Sequence, residues 1–176
     1  MTVSITVAAD ADAEELAAVA AATFPLACPP SSPPRDVAAF IADHLSPQRF
    51  GDYLADPSRI VLAARRHDRI VGYAMLVQGV GDNPDVIRAV TARPAMELSK
   101  IYVAPEHHGG GTAAALMNHA ADCTAEAYAH CLWLGVNQHN LRAQRFYAKH
   151  GFTIAGTKTF QLGAHTEHDF VMVRPI

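Results

Sequence analysis

The stretch His108-Gly109-Gly110-Gly111-Thr112-Ala113 places three adjacent glycines between an apolar run, Glu97 to Val103, and an alanine-rich segment that reads as a helix from Thr112 to Ala129. With no Cβ atoms in the way, successive backbone N–H groups can turn into one concavity. A helix beginning just after them adds N–H groups without intrahelical partners and the positive end of its dipole. Such a junction suits a phosphate or pyrophosphate. Further along, Asn140 is placed to cap a helix running from Leu141 to Lys149, and Tyr147 lies about one turn beyond Ala143 on that helix. Glu97 offers a carboxylate in the strand leading to the glycines, on the face of Ser99 by two-residue alternation.

Three phosphate-binding patterns compete for the loop. A P-loop needs a lysine after its last glycine, and Thr112 stands there. The dinucleotide fingerprint fits Gly109, Gly111 and Ala114, yet it needs an acid at the end of the next strand, which closes on Val136-Asn137-Gln138. The third pattern, Q/R-x-x-G-x-G/A, fits His108 to Ala113 with His108 in its first position. It is followed by Trp133-Leu134-Gly135-Val136, Asn140, Ala143, Phe146-Tyr147, Lys149 and Gly151-Phe152. In order and spacing, the two segments together resemble the cofactor motifs of the GCN5-related N-acetyltransferases, and the resemblance runs from Ile60 to the C-terminus.

That resemblance implies an α/β (α+β) acyl-CoA N-acyltransferase fold, a mixed, mostly antiparallel twisted sheet flanked by helices. It implies acetyl-CoA as co-substrate, with its pyrophosphate on His108, Gly109, Gly110, Gly111, Thr112 and Ala113. Two strands are expected to splay near Val103 and Val136. The pantetheine arm would then pair with the backbone of Ile101 and Val103 and meet the amide of Asn140. Tyr147 resembles the family's acid for the leaving thiolate. Relatives carry a Glu where Ser99 stands, so Glu97 is the candidate general base, with a water chain as the alternative. Thr23-Phe24, Ile101-Tyr102-Val103, Trp133 to Val136 and the stretch from Phe160 through Asp169 to Met172 look like PaiA-type polyamine acetyltransferases, which suggests spermidine or spermine as acceptor. His108 and Ser99, both departures, keep open a non-catalytic acyl-CoA-binding module. A nicotinamide dinucleotide oxidoreductase is the remaining alternative.

The elements that must hold these residues follow from periodicity. Val3, Ile5 and Val7 alternate as a short strand, and Asp10 caps a helix holding Leu16, Ala17, Val19, Ala20 and Phe24, which Pro25 is expected to end. Pro29 to Pro34 reads as a rigid loop, and helices follow from Asp36 and from Ser46-Pro47. Ile60 to Ala64 and Ile70 to Val77 form a hairpin, Gly79 to Pro94 a loop, Leu132 to Val136 a strand. Ile154 to Leu162 and Thr166 to Val173 close the chain as a hairpin about Gly163. At 176 residues with half of them hydrophobic, this is one domain, residues 1–176.

Composition narrows the partners. A net charge of −3 argues against nucleic acid, no apolar run reaches membrane-spanning length, and the acidic balance is compatible with a small-molecule cationic amine. Three cysteines, at no zinc spacing, suggest free thiols in a reducing cytoplasm. Ten histidines invite a metal, but His107-His108 are adjacent, and His165 and His168, expected in a hairpin turn, have no matching third ligand, so none is expected. Glu14-Glu15 reads as an exposed helix face. A homodimer is compatible with all of this.

Overall fold

The computed structural model describes residues 2–176. Strand β1 (Ser4–Val7) leads to helices α1 (Ala13–Ala27), α2 (Pro34–His44) and α3 (Pro47–Ala55), and then to the hairpin of β2 (Arg59–Arg66) and β3 (Arg69–Gln78). A short helix α4 (Pro84–Ala89) precedes β4 (Ala95–Val103), α5 (Thr112–Glu126), β5 (Cys131–Asn137), α6 (Leu141–Lys149), β6 (Thr153–Leu162) and β7 (His165–Pro175). The seven strands form one sheet in the order β1-β2-β3-β4-β5-β7-β6. Every pairing is antiparallel except β4 with β5, which are joined by the crossover helix α5 that a parallel pair requires. This is the mixed sheet anticipated above.

Two irregularities in β4 shape the site. Its parallel pairing with β5 covers only Ala95↔Cys131, Met96↔Leu132 and Glu97↔Trp133. Beyond Glu97 the two strands part and leave a wedge at their carboxyl ends. Against β3, Met75 pairs with Lys100 and Leu76 with Leu98, so Ser99 is an extra, bulged residue. The bulge corrects the expected alternation: Lys100, rather than Ser99, shares the face of Glu97.

Both faces of the sheet are covered. Leu116, Met117 and Ala120 of α5 pack on Leu76, Met96, Leu98 and Leu134. Leu16, Ala20 and Phe50 from α1 and α3 pack on Val61, Tyr73 and Met75 on the other face. A smaller cluster joins Val86 of α4 to Trp133 and Val171, and the Trp133 indole N–H donates to the Gly79 carbonyl at 2.9 Å.

Several expectations need correcting. Pro25 lies inside α1 instead of ending it. The N–H it lacks would have bonded the carbonyl of Ala21, an exposed residue that water can satisfy, while buried Phe24 holds the last turn on the core. The Gly79–Pro94 segment contains α4, which Asn83 caps by accepting from the Asp85 N–H at 2.9 Å, with Pro84 in its first turn. Helix α5 stops at Glu126, short of Ala129, and Tyr128 follows with φ +57°. Glu15 is no solvated face: its Oε1 accepts from Arg69 Nε at 2.7 Å and from the Ile70 N–H at 3.0 Å, tying α1 to β3. His165 and His168 lie in β7 instead of the turn.

Candidate active site

A cleft of about 680 Å³ opens over the parted ends of β4 and β5. Glu97, Ile101, Val103, His108, Gly109, Gly111, Thr112, Ala113, Asn140 and Tyr147 all line it, so the two motif segments meet in one cavity. Gly110 alone of the named loop residues is not part of the lining.

The anion end is built by the loop and the start of α5. Gly111 is the N-cap of α5 with φ +80°, a conformation costly for any side chain. The N–H groups of Thr112, Ala113 and Ala114 follow it without intrahelical acceptors. The Thr112 hydroxyl is buried without a partner. An orphaned donor beside free helix N–H groups fits a phosphate oxygen, so the residues present suit the pyrophosphate of a coenzyme A thioester.

His108, in place of the usual Gln or Arg, is held in a chain of hydrogen bonds. Its Nε2–H donates to the Val103 carbonyl at 2.7 Å, and its Nδ1 accepts from Arg142 Nη2 at 3.3 Å. Arg142, on α6, thereby brings a guanidinium to the loop. A second guanidinium, that of Arg66, approaches from the end of β2: a Cβ on Gly110 would stand 3.6 Å from its Nη2, and its Nε is buried without a partner. Arg142 stands between Asn140 and Ala143 but is not one of the residues that carry the resemblance, and only the fold brings Arg66 to a loop more than forty positions later in the chain.

The wedge presents backbone as anticipated, with one change. The Ala104 N–H donates to the Val71 carbonyl at 2.9 Å, so alternation turns the N–H and C=O of Ile101 and Val103 toward the gap. The Val103 carbonyl, however, already accepts from His108, which leaves Val103 chiefly its N–H to offer. Asn140 caps α6 by accepting from the Ala143 N–H at 3.1 Å. Tyr147 stands edge-on to Phe146 and Phe152, with ring centroids at 5.6 and 5.8 Å, and burial holds its phenol well above the ordinary tyrosine pKa.

The rest of the cleft lining is charged and aromatic. Glu97 is partly buried, and that burial raises its pKa against the opposing pull of Lys100, Lys158 and Arg59. Lys158 pairs with Asp169 at 3.3 Å across β6 and β7. Gly135 admits this pair, because a Cβ there would come within 2.5 Å of Lys158 Cε. Glu167 accepts from the Asn137 side-chain amide at 3.2 Å. Phe24 stacks on Phe40 at 4.5 Å, and Phe40 meets Phe160 at 5.6 Å. Tyr102 also lines the cleft, with its phenol pushed up to about 12 by burial. Sequence reasoning missed Lys100, Lys158 and Glu167 as part of the site, since strand residues distant in sequence announce no shared cavity. Among the described residues no group of three His, Cys, Asp or Glu side chains is placed to hold a metal.

A glycine loop before a crossover helix, set at the wedge of a mixed seven-stranded sheet, defines a class. Residues 20–152 match the Acetyltransferase (GNAT) family, and the chain belongs to that family. It is 56% identical over 165 residues, 94% of this chain and 98% of the relative, to an uncharacterized N-acetyltransferase of Mycobacterium tuberculosis. It is 25% identical over 174 residues, 99% of this chain and 98% of the relative, to an uncharacterized N-acetyltransferase of Lactobacillus delbrueckii subsp. lactis. Among solved structures, the PaiA N-acetyltransferase from Thermoplasma acidophilum in complex with coenzyme A superposes with a TM-score of 0.78, at 18% identity and with both chains covered in full. The chain is an N-acetyltransferase of the GNAT type. The acyl-CoA-binding module and the dinucleotide oxidoreductase are thereby set aside; the sheet order is not that of a doubly wound dinucleotide fold.

Proposed function

We propose that the protein moves the acetyl group of acetyl-CoA directly to a primary amine. One observation carries this reading: the anion-binding loop, the open edge of β4, Tyr147 and the Glu97 carboxylate all line one cleft. Donor and acceptor can therefore occupy the same cavity, and much of the rate comes from holding amine against thioester.

The chain's residues answer two proton problems. An alkylamine with a pKa of about 10.4 is only about 0.04% neutral at pH 7, a handicap of about 4.6 kcal/mol. Glu97, its pKa raised by burial, accepts that proton, directly or through water. The neutral amine nitrogen then bonds to the acetyl carbon, the C–S bond breaks as the thiolate departs, and the second proton that the nitrogen sheds on becoming an amide passes by way of water to the sulfur, which leaves as the thiol. Tyr147 hydrogen-bonds the leaving sulfur; since burial holds its own pKa high, it acts as a donor through the working pH range. A donor of acetyl-CoA points to the cytoplasm as the place of action, and no helix among the described residues is long and apolar enough to cross a membrane.

Release of free thiol from acetyl-CoA in the presence of amines tests the reading. An amine-dependent rate is expected, and Tyr147→Phe should lower kcat by about 10²-fold or more with coenzyme A affinity kept. Tight coenzyme A binding with no thiol released by any amine would refute amine transfer. A polycation such as spermidine is a second reading, favoured by Glu97 and Glu167 in the cleft lining, where Asp169 is already matched by Lys158.

A further inference from the structure

The lining of the cleft includes two ammonium groups, Lys100 and Lys158. Lys158 is matched by Asp169 at 3.3 Å. Lys100, among the described residues, takes part in no ion pair, and its one hydrogen-bond partner is Ser99 Oγ at 3.4 Å. The bulge at Ser99 is what turns Lys100 into the cleft on the face of Glu97. Its surroundings do not repay the loss of water: the Tyr53 ring lies 6.0 Å from Nζ, and the Arg59 guanidinium stands over the same ring at 4.9 Å with like charge. Burial accordingly pushes the Lys100 pKa down, with Arg59 adding to the effect and Glu97 opposing it. An unpaired ammonium inside a cavity is costly unless a ligand supplies the counter-charge. A polyamine cannot supply it, since every added charge on a polyamine repels Lys100.

We propose that the acceptor is an amine that also carries a carboxylate, its amine directed to Glu97 and its carboxylate to Lys100. Glu97 and Lys100 lie on one face of one strand, separated by about two strand steps, or about 7 Å of backbone. A zwitterion of amino-acid type therefore meets one opposite charge at each end. The proposal rests on the amine-transfer reading and narrows it to a substrate class.

Matched pairs test it. Thiol release from acetyl-CoA is measured with L-lysine against cadaverine, with 5-aminopentanoate against pentylamine, and with the common α-amino acids against their decarboxylated amines, spermidine included as a reference. The expected result is that carboxylated members of at least one pair exceed their partners by about tenfold or more in kcat/KM, mostly through KM. Lys100→Gln should erase that ratio and Lys100→Arg should keep it, with coenzyme A affinity confirming that both variants are folded. Equal or better turnover of spermidine and the decarboxylated amines, or a carboxylate preference that survives Lys100→Gln, would overturn the proposal while leaving amine transfer intact. Tight coenzyme A binding with no turnover in any arm would remove both.

Discussion

Glu97 occupies the last paired position between β4 and β5, at the apex of the wedge, and lines the cleft. Burial raises its pKa, and the three nearby cations pull the other way without cancelling the effect. The proton-accepting form therefore fills at a higher pH than for a free glutamate, whose pKa is about 4.3. The acidic limb of kcat/KM should fall above that value, and Glu97→Gln should remove the limb and lower kcat by about 10²–10⁴-fold. Stability gives an independent check. A pKa higher in the folded than in the unfolded chain means that folding favours the neutral carboxyl. That contribution is fully present below the unfolded pKa and is lost as pH rises through the folded one. Glu97→Gln should thus melt no lower than the parent at pH 8, and any advantage should shrink in acid. A large loss of melting temperature at pH 8 would show instead that the carboxylate stabilises the fold through its ionised form.

Strand β4 and helix α5 work as a single device. The strand's open edge turns the backbone of Ile101 and Val103 into the gap, and the helix begins with N–H groups facing the cleft. His108 joins the two, because its imidazole fixes the end of β4 to the loop and to Arg142 on α6. The loop depends on Gly111, whose φ of +80° suits neither a β-branched nor a bulky residue. A Cβ there would meet nothing within 4 Å, so the penalty of a substitution is conformational and not a clash. Gly111→Val should cost about 1–2 kcal/mol of local strain, displace the helix start, and weaken coenzyme A binding by about tenfold or more in titration calorimetry. Unchanged affinity would place the phosphate elsewhere. The loop was legible in the sequence because three glycines at a strand–helix boundary are a local signal. The bulge at Ser99 was not, because a bulge is defined only by the residues opposite it, here Met75 and Leu76.

At the scale of the molecule, the sheet with its two helical layers holds the halves of the cleft apart. Leu116 of α5 is fully buried against the β-strands that lead to the site. Leu116→Ala should destabilise the protein by about 2–5 kcal/mol, read as a lower denaturation midpoint with an unchanged slope. It should also raise the KM for acetyl-CoA more than that for the amine, because α5 carries the anion end of the cleft. An equal change in both would show that the core is not coupled to that end in particular. Periodicity and punctuation determined the strands, most helices, the glycine loop, the capping Asn140 and the tyrosine of α6, since each is written in residues a few positions apart. Pro25 within α1 and the short α4 escaped that reading, because buried Phe24 and Val86 fix those segments by packing. Tertiary structure alone decided that Arg66 and Arg142 flank the loop, that Lys158 meets Asp169, and that Lys100 turns inward unpaired beside Glu97. Electrostatic environment depends on distance through space and on exclusion of water, and neither is encoded in spacing along a chain.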